Sequence, residues 1–220
     1  MPKENLFVAN LKCNLNLTES LRWLKGFLEG FNGNNKVVIC PEAPFLLPFK
    51  EKIQGRENIT LGIQNISQFE EGQYTGEISA RALVGITDYA IVGHSERRKY
   101  FKETDAEVRG KIALCQKYGI MPIVCVSNES EVSELLGSEE NFIVAYEPLT
   151  AIGTGEPESP EEAEKFSQKV KEILGLEVKV LYGGSVNSGN VKAYLQLESI
   201  EGVLVGGASL DIIDFVKIVN

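Results

Sequence analysis

Two glycine-rich segments near the C-terminal end of the sequence could bind an anion. Residues 183–185 read Gly-Gly-Ser after one short apolar run, and residues 206–207 read Gly-Gly after the next. Glycines let backbone N–H groups approach an anion closely, and a helix starting near residues 208–209 would add positive potential. Tight turns between strand and helix are the alternative for either segment taken alone. Their repetition after two successive runs favours a phosphate site.

Glu147 is the strongest candidate for a general base. It ends another apolar run and is followed by a segment of apolar and small residues, 148–155. Such a segment suits a lid that folds over a ligand, and a carboxylate desolvated by that lid would have a raised pKa and be a stronger base. A solvated carboxylate at a strand end is the alternative.

His94 and Lys12 supply the other groups that this chemistry needs. His94 is the single histidine of the chain, and a helix starting just after it would favour a neutral imidazole that can donate a hydrogen bond to a carbonyl. Lys12 follows Asn10 by two residues, so both should point to the same side of a strand. A structural histidine and an exposed lysine are the alternatives. Together with Glu147, the set suits abstraction of a proton α to a carbonyl in a small phosphorylated substrate.

Composition excludes several other kinds of function. The net charge of −9 argues against nucleic-acid binding, which needs clustered positive charge. Four cysteines without a CxxC pair, and a single histidine, predict no metal site, and no cofactor-binding fingerprint is present. We expect buried, reduced thiols and a cytoplasmic protein without a signal peptide or membrane span.

The elements that must position these residues are eight short, continuous apolar runs. Runs of this kind are typical of parallel strands covered on both sides, and the segments between them predict helices. Eight βα units in 220 residues favour a single-domain (β/α)8 barrel over residues 1–220, whose active site lies at the carboxyl ends of the strands. A doubly wound open sheet is the alternative, but it would favour a G-x-G-x-x-G fingerprint that is absent after the first run. The runs are 6–11, 36–40, 59–64, 89–93, 121–126, 141–146, 178–182 and 202–206.

Several longer motifs resemble the triosephosphate isomerase family, and they occur in family order from Asn10 to Leu210. They are VGHSERR at 92–98, AYEP at 145–148 running into AIGTG at 151–155, YGGSV at 182–186, and VGGASL at 205–210. The resemblance implies a TIM barrel that interconverts dihydroxyacetone phosphate and glyceraldehyde 3-phosphate through an enediol(ate), without a cofactor, in glycolysis and gluconeogenesis.

The resemblance also implies a role for each site residue. Glu147 would be the base, His94 the neutral electrophile, and Lys12 the catalytic cation. Substrate would be held by Asn10, Lys12, Gly153, Ser185, Gly206 and Gly207. Family members are typically homodimers, and residues 73–77 resemble the loop that brings Thr75 near Lys12 and His94 of the neighbouring subunit.

The sequence departs from the family pattern in three places. Leu11 and Thr150 stand where tryptophan is usual, and we expect the change at Thr150 to alter opening of the lid rather than the chemistry. The connection between the fifth and sixth runs is short, which predicts a fifth helix reduced to about residues 131–136. The alternative interpretations are an isomerase that acts on a larger sugar phosphate and a barrel that binds a phosphosugar without catalysis.

Overall fold

Eight parallel strands form a closed barrel in the order in which they occur along the chain. The computed structural model describes residues 4–138, 141–151 and 156–220. This topology confirms the predicted (β/α)8 barrel, and each strand lies within one of the eight apolar runs. The strands are β1 (Leu6–Asn10), β2 (Lys36–Cys40), β3 (Ile59–Ile63), β4 (Tyr89–Val92), β5 (Met121–Val126), β6 (Ile143–Tyr146), β7 (Lys179–Tyr182) and β8 (Gly202–Val205).

Helices alternate with the strands and form an outer layer around the barrel. They are α1 (Leu17–Gly30), α2 (Leu46–Lys52), α3 (Ser95–Phe101), α4 (Asp105–Lys117), α5 (Glu129–Ser133), α6 (Pro160–Leu174), α7 (Val191–Leu195) and α8 (Ile212–Val219). Short 3₁₀ helices add Ala43–Phe45, Ala80–Leu83 and Gly207–Leu210.

The side chains of the strands divide the core into two parts. On β1, Leu6 and Val8 belong to a cluster inside the barrel, whereas Phe7 and Ala9 belong to the layer between barrel and helices. Successive side chains of a strand point to opposite faces, and both faces of these strands are buried. This explains why the strands appear in the sequence as continuous apolar runs rather than as alternating ones.

Capping side chains fix where several helices begin. Thr104 and Glu107 form a capping box at the start of α4, in which each side chain accepts a hydrogen bond from the backbone N–H of the other. At the start of α1 the capping residue is Asn16, whose side chain accepts the N–H of Glu19. A side-chain acceptor at this position satisfies one of the first N–H groups, which have no partner within the helix.

The connection between β5 and β6 is short, as the sequence predicts, but its helix lies elsewhere. α5 covers Glu129–Ser133 rather than the predicted residues 131–136, because Asn128 caps it by accepting the N–H of Glu131. Leu136 therefore follows the helix and is exposed.

Two other expectations concern cysteines and membranes. Cys40, Cys115 and Cys125 are buried, but Cys13 is exposed, so the expectation of four buried thiols is wrong at that position. Within the described ranges, every helix is too short or too polar to cross a membrane.

Candidate active site

A cavity of about 330 Å³ lies at the carboxyl ends of the strands and collects most of the predicted site residues. This is the end of a β/α barrel at which active sites are built. Gly153 lies outside the described residues. The remaining seven predicted residues, which line this cavity, are Asn10, Lys12, His94, Glu147, Ser185, Gly206 and Gly207.

Glu147 directly follows β6 and is almost completely buried, with 2% of its surface exposed. One carboxylate oxygen accepts the backbone N–H of Ser95 at 2.9 Å, and the other lies 2.9 Å from Nε2 of His94. Gly183 makes room for this side chain, since a Cβ at that position would lie 3.2 Å from Cγ of Glu147. The carboxylate is therefore held between β4, β6 and β7.

His94 lies between β4 and α3 and caps that helix. Its Nδ1 accepts the backbone N–H of Glu96 at 3.2 Å, so a single ring proton must lie on Nε2. Nε2 then donates to Glu147 across 2.9 Å. The N–H group at the start of α3 fixes the tautomer that can donate a hydrogen bond into the cavity.

The close contact between the side chains of Glu147 and His94 determines the direction in which the pKa of each group shifts. Burial alone would raise the pKa of Glu147, but His94 and the N–H of Ser95 hold the pKa of this carboxyl below its ordinary value. Burial likewise opposes a charge on His94, yet the facing carboxylate raises the pKa of the ring above its ordinary value. The expectation of a raised pKa for Glu147 is therefore wrong for this arrangement. A raised pKa would require the carboxylate to leave its two hydrogen-bond donors, His94 and the N–H of Ser95.

Lys12 has a backbone conformation that non-glycine residues seldom adopt, with φ at 51°. Its N–H donates to Oδ1 of Asn10 at 3.2 Å, and its carbonyl accepts a hydrogen bond from the side chain of Gln64 at 2.9 Å. The strand ends at Asn10, so the turn at Lys12, rather than the alternation of a strand, directs the lysine to the cavity. Nζ forms an ion pair with Glu96 at 2.5 Å.

The predicted phosphate loops border the cavity beside this lysine. Gly206 accommodates the side chain of Lys12, since a Cβ there would lie 3.2 Å from Cε of the lysine. Gly207 begins a short 3₁₀ helix and faces open space. Ser185 has a φ of 50°, and its hydroxyl donates to the carbonyl of Ala151. The loop after β7 therefore contacts the segment that follows Glu147.

Sequence reasoning did not assign site roles to Ser95, Glu96 or Leu204. The first two bind Glu147 and Lys12, and Leu204 lines the cavity from β8. Ser95 and Glu96 could have been identified from the sequence, because they lie at the start of the helix after His94. Backbone N–H groups at that position have no partner within the helix and are free to bind other groups. Among the residues that the structure describes, no group of three or more His, Cys, Asp or Glu side chains could hold a metal ion.

Comparison with known proteins agrees with the architecture and the site. The family model for triosephosphate isomerase matches residues 5–220. A triosephosphate isomerase of Mesomycoplasma hyopneumoniae (strain 7448) is 44% identical over 98% of this chain and 98% of that protein. Those of Dehalococcoides mccartyi and Mesomycoplasma hyorhinis are 38% and 36% identical, over 98% and 99% of this chain and 96% and 98% of those proteins. The chain belongs to the triosephosphate isomerase family.

Proposed function

We propose that this cavity interconverts dihydroxyacetone phosphate and glyceraldehyde 3-phosphate, with Glu147 as the base, His94 as the electrophile and Lys12 as the substrate-binding cation. The observation that carries the assignment is the buried contact between Glu147 and Nε2 of His94, in a cavity that Lys12 also lines. A carboxylate and a neutral imidazole on opposite sides of a small substrate are the two groups that enolisation needs.

The proton transfers follow from these positions. Glu147 takes a proton from the carbon next to the carbonyl, and the electron pair of that C–H bond forms the double bond of an enediol(ate). His94 donates the Nε2 proton toward the carbonyl oxygen, where negative charge develops, and relays a proton between the two oxygens. Glu147 then returns its proton to the neighbouring carbon. The atoms and charges balance without a redox partner.

The contact between base and electrophile must open when substrate enters. Once the substrate separates Glu147 from His94, the carboxylate no longer favours a charge on the ring. Burial, the N–H of Glu96 and the charge of Lys12 then favour the neutral imidazole, against the weaker attraction of the Glu96 carboxylate. Glu147, freed from His94 and the N–H of Ser95, becomes the stronger base that the sequence predicted.

The phosphate group belongs at the opposite side of the cavity. Ser185, Gly206 and Gly207 present glycine-rich backbone there, and Lys12 adds positive charge beside Gly206. Gly153 completes the proposed phosphate contacts, as the family resemblance implies. Asn10 contributes by fixing the backbone of Lys12 and by lining the cavity.

We also propose that the enzyme is a homodimer in which Thr75 approaches Lys12 and His94 of the other subunit. Thr75 is exposed on the loop after β3. The rings of Phe69 and Tyr74 stack beside it at 3.8 Å although both side chains are substantially exposed. Exposed aromatic residues grouped in this way are typical of a surface that a second protein covers.

The cytoplasm is the proposed location. All four cysteines are free thiols, with no disulfide between them. Unpaired cysteines are usual in a reducing compartment, and the substrates of this reaction are phosphorylated metabolites.

A coupled assay of glyceraldehyde 3-phosphate isomerisation tests the assignment of the base. We expect rapid turnover by the wild type and a fall of about 100-fold or more in both Glu147→Asp and Glu147→Ala, as for loss of a general base. Glu172→Asp, at an exposed position of α6, is the matched control and should retain wild-type turnover. A folded wild type that binds phosphate without turnover would instead support an idle phosphosugar-binding barrel.

A further inference from the structure

Three tyrosine hydroxyls converge on one residue, Glu158, just outside the catalytic cavity. The hydroxyl of Tyr146 donates to the Glu158 carboxylate at 3.2 Å. The hydroxyl of Tyr182 accepts the Glu158 N–H at 3.0 Å, and the hydroxyl of Tyr194 donates to the Glu158 carbonyl at 2.5 Å. Glu158 therefore links the ends of β6 and β7 to α7 through its side chain, its N–H and its carbonyl.

The aromatic rings that carry these hydroxyls are firmly packed. Tyr182 and Tyr194 are completely or almost completely buried and stack on each other with ring centroids 4.0 Å apart. The ring of Tyr146 stacks on Phe166 of α6 at 3.9 Å. Because the stacked rings of Tyr182 and Tyr194 are buried, their hydroxyls hold the backbone of Glu158 in a defined position, from which its carboxylate reaches the hydroxyl of Tyr146.

Two of the three tyrosines directly precede parts of the proposed active site. Tyr146 is followed by the base Glu147. Tyr182 is followed by Gly183, and a Cβ added to Gly184 would collide with the Tyr182 hydroxyl. The side chain of Glu158 thus bonds to the residue beside the base, whereas its backbone N–H bonds to the residue beneath the phosphate loop.

The surroundings of the Glu158 carboxylate do not favour a purely structural role. Burial and the nearby carboxylate of Glu162 raise the pKa of Glu158. In the described part of the chain, its Oε2 atom is buried without a hydrogen-bond partner. Glu129 of α5 and Lys165 of α6 line the same groove. A buried acceptor without a partner lowers stability, so stability alone does not explain a glutamate here.

We propose that Glu158 is a positioning residue that holds Glu147 in place through its hydrogen bond to Tyr146. The inference rests on the proposed role of Glu147 as the base. The bond fixes the outer end of the Tyr146 side chain and thereby limits displacement of the chain at the end of β6. Loss of the bond leaves the backbone bonds of Glu158 to Tyr182 and Tyr194 in place, so phosphate binding should persist while the base loses its alignment.

Steady-state kinetics of Glu158→Ala, Tyr146→Phe and the double variant test this proposal. Each single variant should lower kcat about tenfold with KM within about twofold of the wild type, because small misplacements of a reacting group reduce the rate strongly. The double variant should lose no more than the worse single variant, since both changes remove the same bond. Glu158→Gln keeps a side-chain oxygen as acceptor and should recover most of the rate.

The matched control is Glu162→Gln, which changes a neighbouring carboxylate of the same groove and should leave kcat unchanged. Unchanged kcat in both single variants, independent losses that add in the double variant, or a change confined to KM would each overturn the proposal. Glu147→Asp in the same assay separates two kinds of failure. If that variant is impaired while Glu158→Ala is not, the base assignment stands and only the positioning role is wrong.

Discussion

The Nε2 atom of His94 lies 2.9 Å from Oε1 of Glu147, so the proposed electrophile and base are hydrogen-bonded to each other before any substrate lies between them. Each group perturbs the other, since the carboxylate favours a charged ring and the ring favours a charged carboxylate. In the proposed reaction, substrate binding breaks this bond. The same proposed step creates a stronger base and a neutral electrophile, which would couple binding to activation of both groups.

We predict that the pKa of His94 falls when the facing carboxylate is removed. The chain contains one histidine, so NMR titration of labelled imidazole reports this ring alone. Glu147→Gln should lower the pKa of His94 relative to the wild type, and Glu172→Gln at an exposed position of α6 should not. An unchanged pKa in Glu147→Gln would mean that the contact between the two side chains does not persist in solution.

The same pair predicts how stability depends on pH. The raised pKa of His94 adds stability that is fully present below the unfolded value of about 6.5 and is lost as the pH rises through the folded pKa. The lowered pKa of Glu147 adds stability that is present above about 4.3 and is lost as the pH falls through the folded pKa. Thermal unfolding should therefore show the largest advantage of the wild type over Glu147→Gln between about pH 4.3 and 6.5. An advantage that stays equal as the pH rises through the folded pKa of His94, as measured by the NMR titration, would contradict this assignment.

The strands could be predicted from the sequence because both of their faces are buried. Most residues of the candidate site could then be predicted from their position just after the carboxyl ends of these strands. Strand alternation predicted that Lys12 faces the cavity with Asn10, and Lys12 does line the cavity, but strand alternation is not the cause. β1 ends at Asn10, and a left-handed turn held by Asn10 and Gln64 directs the lysine inward. Local patterns do not report contacts between distant segments, so the contact of Glu147 with the N–H of Ser95 could not be derived. The lowered pKa of Glu147 was missed with it.

Gly183 and Gly207 line the same cavity but should respond differently to an added methyl group. A Cβ at Gly183 would lie 3.1 Å from the carbonyl of Tyr146 and 3.2 Å from Cγ of Glu147, whereas one at Gly207 meets nothing within 4 Å. Gly183→Ala should displace the base and lower kcat by about 10- to 100-fold. Gly207→Ala narrows the proposed phosphate site and should act mainly on KM. Steady-state kinetics distinguish these effects, and a change in KM alone for Gly183→Ala would refute the packing argument.

Lys12 should provide much of the attraction for the substrate anion in a chain whose net charge is −9. Lys12→Met should raise KM about 10- to 100-fold, as expected when a charged group loses its partner. The KM of the wild type should also rise with ionic strength, because salt screens the attraction, and that rise should weaken in the variant. Lys50→Met, which removes a positive charge from α2, is the control. An equal salt dependence in wild type and Lys12→Met would assign the attraction to other groups.

The aromatic pair beside Thr75 predicts how assembly and activity are related. Thr75→Arg should place a charge against the proposed partner surface and shift the protein toward monomers, as measured by sedimentation or light scattering across concentrations. Activity should fall with the dimer, because Thr75 is proposed to lie near Lys12 and His94 of the neighbouring subunit. Gln168→Arg at an exposed position of α6 adds the same charge elsewhere on the surface and is the control for a change of charge alone. A monomeric Thr75→Arg variant with full turnover would separate catalysis from assembly, and a monomeric wild type would refute the proposed dimer.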